Sequence, residues 1–179
     1  MIELFLKIFK TPQNIILIPD DNLDQDGIVA VGKKIEARVK HLFRGSLAIR
    51  QVDAGSDNAC EQELVALSNA FYDIERFGIH FVASPRHADM LLVTGPVTRN
   101  MAEAVKRAYE AMPEPKIVVA VGDDAINGGI FKDSYAVLGG VHSILPVHYQ
   151  ISGDPPTPKK ILLSLLQILE DLDRASTKS

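Results

Sequence analysis

The sequence predicts an α/β domain built on a parallel sheet with helices on both faces. Three observations carry that expectation. Met90–Thr94 and Ile117–Val121 are near-continuous apolar runs bounded by Asp, Gly or Pro, as strands buried on both faces should be. Stretches with apolar residues at helical spacing alternate with them along the chain. The 179 residues, 46% hydrophobic and 23% charged, suffice for one compact domain.

Taken in order, residues 1–10 are apolar but carry Glu3, Lys7 and Lys10. They lack the basic start and small-residue cleavage site of a signal peptide. As a helix they set Ile2, Phe5, Leu6 and Phe9 on one face, either docked on protein or lying on a membrane surface. Residues 11–26 hold Pro12, Pro19 and four Asp, and read as a linker around a short apolar run. Ile28, Val31, Ile35, Val39 and Leu42 repeat at helical spacing, and Gly45 ends that helix. Ser46–Val52 reads as a strand, Asp53–Cys60 as a turn-rich loop, and Glu61–Arg76 as one helix striped by Leu64, Leu67, Phe71 and Ile74. Strands follow at Ile79–Ala83 and Met90–Thr94. A helix capped by Thr98 or Asn100 then runs to Ala111, with Met101, Ala104, Val105 and Ala108 inward. Pro113 and Pro115 stop it before the Ile117–Val121 strand. Tyr135–Val147 is irregular, Ser152–Pro158 is a rigid loop, and Lys160–Leu172 is a final amphipathic helix. The domain reading is an N-terminal extension with amphipathic helices over residues 1–43, the α/β domain over 44–173 and a tail over 174–179.

Some functions are excluded early. A formal net charge of -4 argues against nonspecific nucleic-acid binding. No apolar run reaches the about 20 residues of a transmembrane helix. One cysteine, Cys60, rules out an internal disulfide. Phosphate-binding glycine motifs and the nucleophile elbow are missing. His41, His80, His87, His142 and His148 show no metal-ligand spacing and read as ordinary histidines. In a parallel sheet, ligand sites form beyond the carboxyl ends of the strands. The loops Asp53–Cys60, Gly95–Asn100 and Gly122–Gly129 qualify, with Ser152–Pro158 just before the last helix.

At these loops the chain resembles a known family. The stretches are Val52-Asp-Ala-Gly-Ser-Asp-Asn-Ala-Cys-Glu61, Tyr72-Asp-Ile-Glu-Arg-Phe-Gly78, Ser84-Pro-Arg-His-Ala-Asp-Met-Leu-Leu-Val-Thr-Gly-Pro-Val-Thr98, Gly122-Asp-Asp-Ala-Ile-Asn-Gly-Gly-Ile-Phe131 and Gly153-Asp-Pro-Pro-Thr-Pro158. They are similar to the small, cluster-carrying subunit of energy-converting nickel–iron hydrogenases, formate hydrogenlyase and respiratory complex I, the NADH-quinone oxidoreductase. The resemblance covers about residues 44–170. It implies a flavodoxin-like core and one 4Fe–4S cluster on four cysteines, relaying electrons next to a large subunit. It also implies ferredoxin-like and membrane subunits as partners, and a peripheral place on the cytoplasmic side of the inner membrane. The family's ligand positions fall on Asp57, Cys60, Asp124 and Asp154, of which Cys60 alone remains cysteine.

Thiolates hold 4Fe–4S clusters, whereas carboxylates suit hard cations. Three aspartates therefore lead us to expect an absent or altered cluster and an impaired relay. Three states of the site stay open: an empty solvated pocket, ranked first, a hard divalent-cation site, and an intact cluster, ranked last. Cys60 reads as a packed thiol or a residual ligand. Glu61 reads as a carboxylate at a helix N-terminus, or, by resemblance, as a proton carrier. Arg86, His87 and Asp89 read as a connector or an interface patch. The competing function is a docking subunit without electron transfer.

Overall fold

The computed structural model describes residues 14–16 and 23–177. The elements are β1 (Asn14–Ile16), α1 (Gln25–Phe43), β2 (Leu47–Asp53), α2 (Ala59–Ala66), β3 (Ile79–Phe81), β4 (Met90–Thr94), α3 (Ala102–Ala111), β5 (Ile117–Val121), α4 (Asp123–Asn127), β6 (Tyr149–Ile151) and α5 (Pro158–Thr177). The six strands form one sheet in the order β1-β6-β5-β4-β2-β3, and every pairing is parallel. From β2 onward this is the doubly wound, flavodoxin-like order, with β1 added at one edge. The order reverses between β2 and β4. Their carboxyl ends, Asp53 and Thr94, lie in register, and that reversal is where such sheets place their ligands.

The sheet separates two apolar layers. Met90 and Leu92 of β4 and Ile117, Val119 and Val121 of β5 join the layer with α1, α2 and α5. Leu91, Val93, Val118 and Ala120 join the layer beneath α3 and α4. Period-two alternation sends successive side chains to opposite faces, so a strand covered on both sides must be apolar throughout. Ile28, Val31, Ile35 and Val39 of α1 belong to the same core as the strands. Asp24 starts α1 by accepting from Gly27 N at 2.7 Å, and Arg44 closes it in the left-handed region ahead of Gly45. Arg38 and His41 of α1 converge on Asp173 of α5.

The structure departs from the sequence expectations in several places. Part of the expected linker is β1, which pairs with β6 and buries Ile16. The expected Glu61–Arg76 helix ends at Ala66. There Asn69 Oδ1 accepts from Phe71 N at 2.9 Å and Tyr72 N at 3.1 Å, a local bond that competes with the helix. A short 3-10 turn follows at Ile74–Phe77. In α3 the inward residues are Ala102 and Val105, not Met101 and Ala104. The final helix continues past Leu172 to Thr177. The amphipathic stretch at residues 2–9 lies outside the described residues.

His148 is buried rather than an ordinary surface histidine. Its Nδ1 accepts from Val118 N at 2.9 Å, and its own N donates to Val118 O at 2.9 Å. That bond needs the neutral ring, and burial lowers the imidazole pKa against a smaller opposing pull from Glu114. Below the unfolded value of about 6.5, the unfolded chain gains a proton that the folded chain resists, so stability falls as pH falls. We expect the urea midpoint to drop more between pH 7 and pH 5 in the native chain than in His148→Asn, whose amide oxygen keeps an acceptor without titrating. The difference should reach at most about 1.4 kcal/mol per pH unit.

Candidate cofactor nest

The nest is built from three loops at the carboxyl ends of the central strands. After β2, Asp53 Oδ1 accepts from Gly55 N and Ser56 N, each at 2.7 Å, and curls the chain back. Ala54 N donates to Thr94 O at 2.9 Å and Thr98 N donates to Ala54 O at 2.9 Å, so this loop lies across the end of β4. Gly95 permits that approach: its φ is +72°, and a Cβ there would stand 2.4 Å from Ser56 N. Asp57 Oδ1 then accepts from Ala59 N at 2.9 Å, and α2 begins with Cys60 in its first turn.

The loops after β5 and β6 are tied together. Asp123 N donates to Gly153 O, and Gly153 N donates to Asp123 Oδ1, both at 2.9 Å. This pairing sets Asp124 and Asp154, each one residue further along, on the same side of the sheet end. Gly122, with φ +93°, leaves room for the thiol: a Cβ there would lie 2.6 Å from Cys60 Sγ.

Asp57, Cys60, Asp124 and Asp154 therefore act on one another. Burial pushes the Cys60 thiol up to about 12, followed by the charges of Glu61, Asp124, Asp57 and Asp154. Burial also raises Asp124, aided by Asp154, Asp57 and Asp123. Like charges gathered at a low-dielectric sheet end favour the protonated form. Even so, among the described residues no group of three or more His, Cys, Asp or Glu is arranged to hold a metal ion.

Glu61 has definite partners. It accepts from Ser56 Oγ at 2.7 Å and from Thr94 Oγ1. Thr94 is fully buried at the end of β4. Sequence reasoning missed it, although a hydroxyl closing an otherwise apolar strand at the sheet reversal was the available signal. Asp53 and Ser56 were also missed, although Asp-Ala-Gly-Ser carries an Asx-turn signal. Asp89 serves as a connector: its Oδ2 accepts from Ala48 N at 3.0 Å and its N donates to Ala48 O at 2.8 Å.

Residues 58–168, well over half of the chain, match the family model described as NADH ubiquinone oxidoreductase, 20 Kd subunit. The chain belongs to this family. Relatives of the 20 Kd subunit agree. The chain is 43% identical to "Probable membrane-bound hydrogenase subunit mbhJ" of Pyrococcus furiosus, over 78% of this chain and 86% of that protein. It is 42% identical to formate hydrogenlyase subunit 7 of Escherichia coli, over 78% of this chain and 55% of that longer protein. Among solved structures, a chain of the archaeal membrane-bound sulfane sulfur reductase superposes with a TM-score of 0.65 at 34% identity, covering 80% of this chain and 76% of that one. Like these relatives, the protein is a 20 Kd-type subunit of the hydrogenase and complex I lineage. Among its described residues no helix is long and apolar enough to cross a membrane.

Proposed function

We propose that this chain is the small subunit of a membrane-associated hydrogenase- or complex I-type oxidoreductase, docking against the large subunit without relaying electrons through a 4Fe–4S cluster. One observation carries the reading: aspartates stand at three corners of the nest, beside a single buried thiol. A bound metal would itself strip the proton from that thiol, so donor identity decides the matter. Three hard oxygens to one sulfur do not fit an iron–sulfur cubane. A hard divalent cation would relieve the carboxylate repulsion, but the described side chains lack the arrangement to ligate one. The solvated pocket is the reading these observations favour.

The surface around the nest supports docking. Ile130 is 85% exposed and Tyr135 is 91% exposed, with Phe131 and Leu138 partly exposed between and beyond them. Leu138 N donates to Val97 O at 2.7 Å, which anchors this apolar stretch beside the end of β4. Large apolar groups clustered around a site mark an interaction surface. The partners under this reading are the large subunit, a ferredoxin-like subunit and membrane subunits. The complex would hold the chain peripherally on the cytoplasmic side.

Co-expression with the large subunit and capture through a tag on that subunit tests the reading. The native chain should co-elute in a one-to-one ratio. Ile130→Asp combined with Tyr135→Asp should weaken capture by about tenfold or more while the variant stays folded. A native chain that elutes alone, or a double variant captured as well as the native chain, would overturn it.

A further inference from the structure

We propose that the open edge of β2 binds a short extended peptide, anchored on the backbone of Gln51 with one apolar side chain seated against α2. This site is separate from the nest and from the docking reading. Alternate residues of a parallel strand bond to opposite neighbours. Leu47 N donates to Gly78 O and Val82 N donates to Ile49 O, so the odd-numbered residues of β2 face the β3 side. Asp89 N donates to Ala48 O and Ala54 N donates to Thr94 O, so the even-numbered ones face the β4 side. β3 pairs only with Leu47–Ile49. Gln51 N and O therefore point past the end of β3, and neither is bonded by the loop that follows Phe81. A cavity of about 310 Å3 opens there, with Gln51 in its lining.

The topology specifies the ligand. An N–H and a C=O on one residue are both met by a single residue of an antiparallel strand. Parallel addition would spread the two bonds over three residues, a longer footprint than a cavity at the lower end of small-molecule volumes offers. The residue directly opposite Gln51 carries its side chain on the same face of the sheet as Gln51 does. That face is fixed by Leu47 and Ile49, which join the apolar layer of α2. On it, Leu64 and Val65 of α2 and Phe81 of β3 wall the cavity. By the same alternation Arg50 turns to the other layer, where Val82 also packs. No carboxylate is among the lining residues. The walls therefore select an aliphatic side chain. The free amide pair selects a peptide over a hydrocarbon or an acid, which lacks the matched donor and acceptor.

Titration of the full chain with acetyl-Thr-Leu-Thr methylamide, followed by NMR, tests the site. The expected result is saturable one-to-one binding, with the Gln51 amide resonance shifted and its hydrogen exchange slowed. The same peptide methylated on the leucine nitrogen lacks the donor to Gln51 O and should bind about tenfold or more weakly. A glycine in place of the leucine should lose about tenfold or more through the missing apolar contact. Gln51→Pro removes the edge donor without touching the β4 ladder and should weaken binding by a similar factor. Circular dichroism reports whether Gln51→Pro folds. Should it not fold, the exposed Ser68 gives a second variant, Ser68→Trp, expected to abolish binding by filling the cavity. The absence of saturable binding at millimolar peptide would overturn the proposal. So would a Gln51 amide unmoved at saturation, equal affinity for the N-methylated peptide, or equal affinity in a folded variant.

Discussion

Replacing Asp57, Asp124 and Asp154 together by cysteine is expected to turn a colourless chain into a brown one. The backbone already brings these positions and Cys60 to one sheet end. The Asp53 turn places the first loop over Gly95, the Asp123–Gly153 pairing joins the other two, and Gly122 makes room for the existing sulfur. The change lies in the donors and not in the cradle. Four thiolates would restore the set that iron–sulfur cubanes take, with uptake of about four iron and four sulfide per chain on anaerobic reconstitution. A single return, such as Asp57→Cys, leaves two oxygen corners and should take up far less. A triple variant that stays colourless while folded would show that the cradle itself has been lost.

Gly95→Ala is expected to be the most damaging single substitution at the nest. The residue has φ +72°, and an added Cβ would stand 2.4 Å from Ser56 N and 2.5 Å from Ser56 Cα. These are backbone atoms of the loop that leads into Asp57 and Cys60, so no side chain can swing aside. Left-handed strain and loop displacement together should remove roughly 3 kcal/mol or more. In a domain of this size that lowers the thermal midpoint by roughly 6–12 °C. Gly139→Ala is the matched control. Its φ is +102°, but nothing lies within 4 Å of an added Cβ, so strain alone applies, about 1–2 kcal/mol. Thermal unfolding followed by circular dichroism reads both, and equal losses would show that the Gly95 contact with Ser56 is unimportant.

The parts of the fold that were legible in the sequence are those that one physical rule decides. β4 and β5 read correctly because burial on both faces demands unbroken apolar runs. α1 read correctly from its apolar stripe and its glycine stop, whereas its Asp24 cap and first residues were assigned to the linker. Where local chemistry competes with periodicity, the reading failed. The apolar stripe through Leu67 and Phe71 continued the helical spacing, but the Asn69 side chain captured two backbone amides and ended the helix. β1 has only three residues and one neighbouring strand, so its existence depends on β6, far away in sequence. The nest corners were legible only through the resemblance. Asp57 and Asp154 are separated by most of the domain, and spacing alone carries no sign that they meet.

Acid-labile sulfide is the most direct test of the central claim, because a cubane contributes it and a metal held by protein thiolates alone does not. The sample is the native chain, co-expressed with its large subunit and with iron–sulfur assembly machinery and purified without oxygen. The expected result is a small fraction of one sulfide per chain and no cluster signal in the electron paramagnetic resonance spectrum after reduction. About four sulfides per chain, with a reducible cluster signal that disappears in Cys60→Ala, would contradict it.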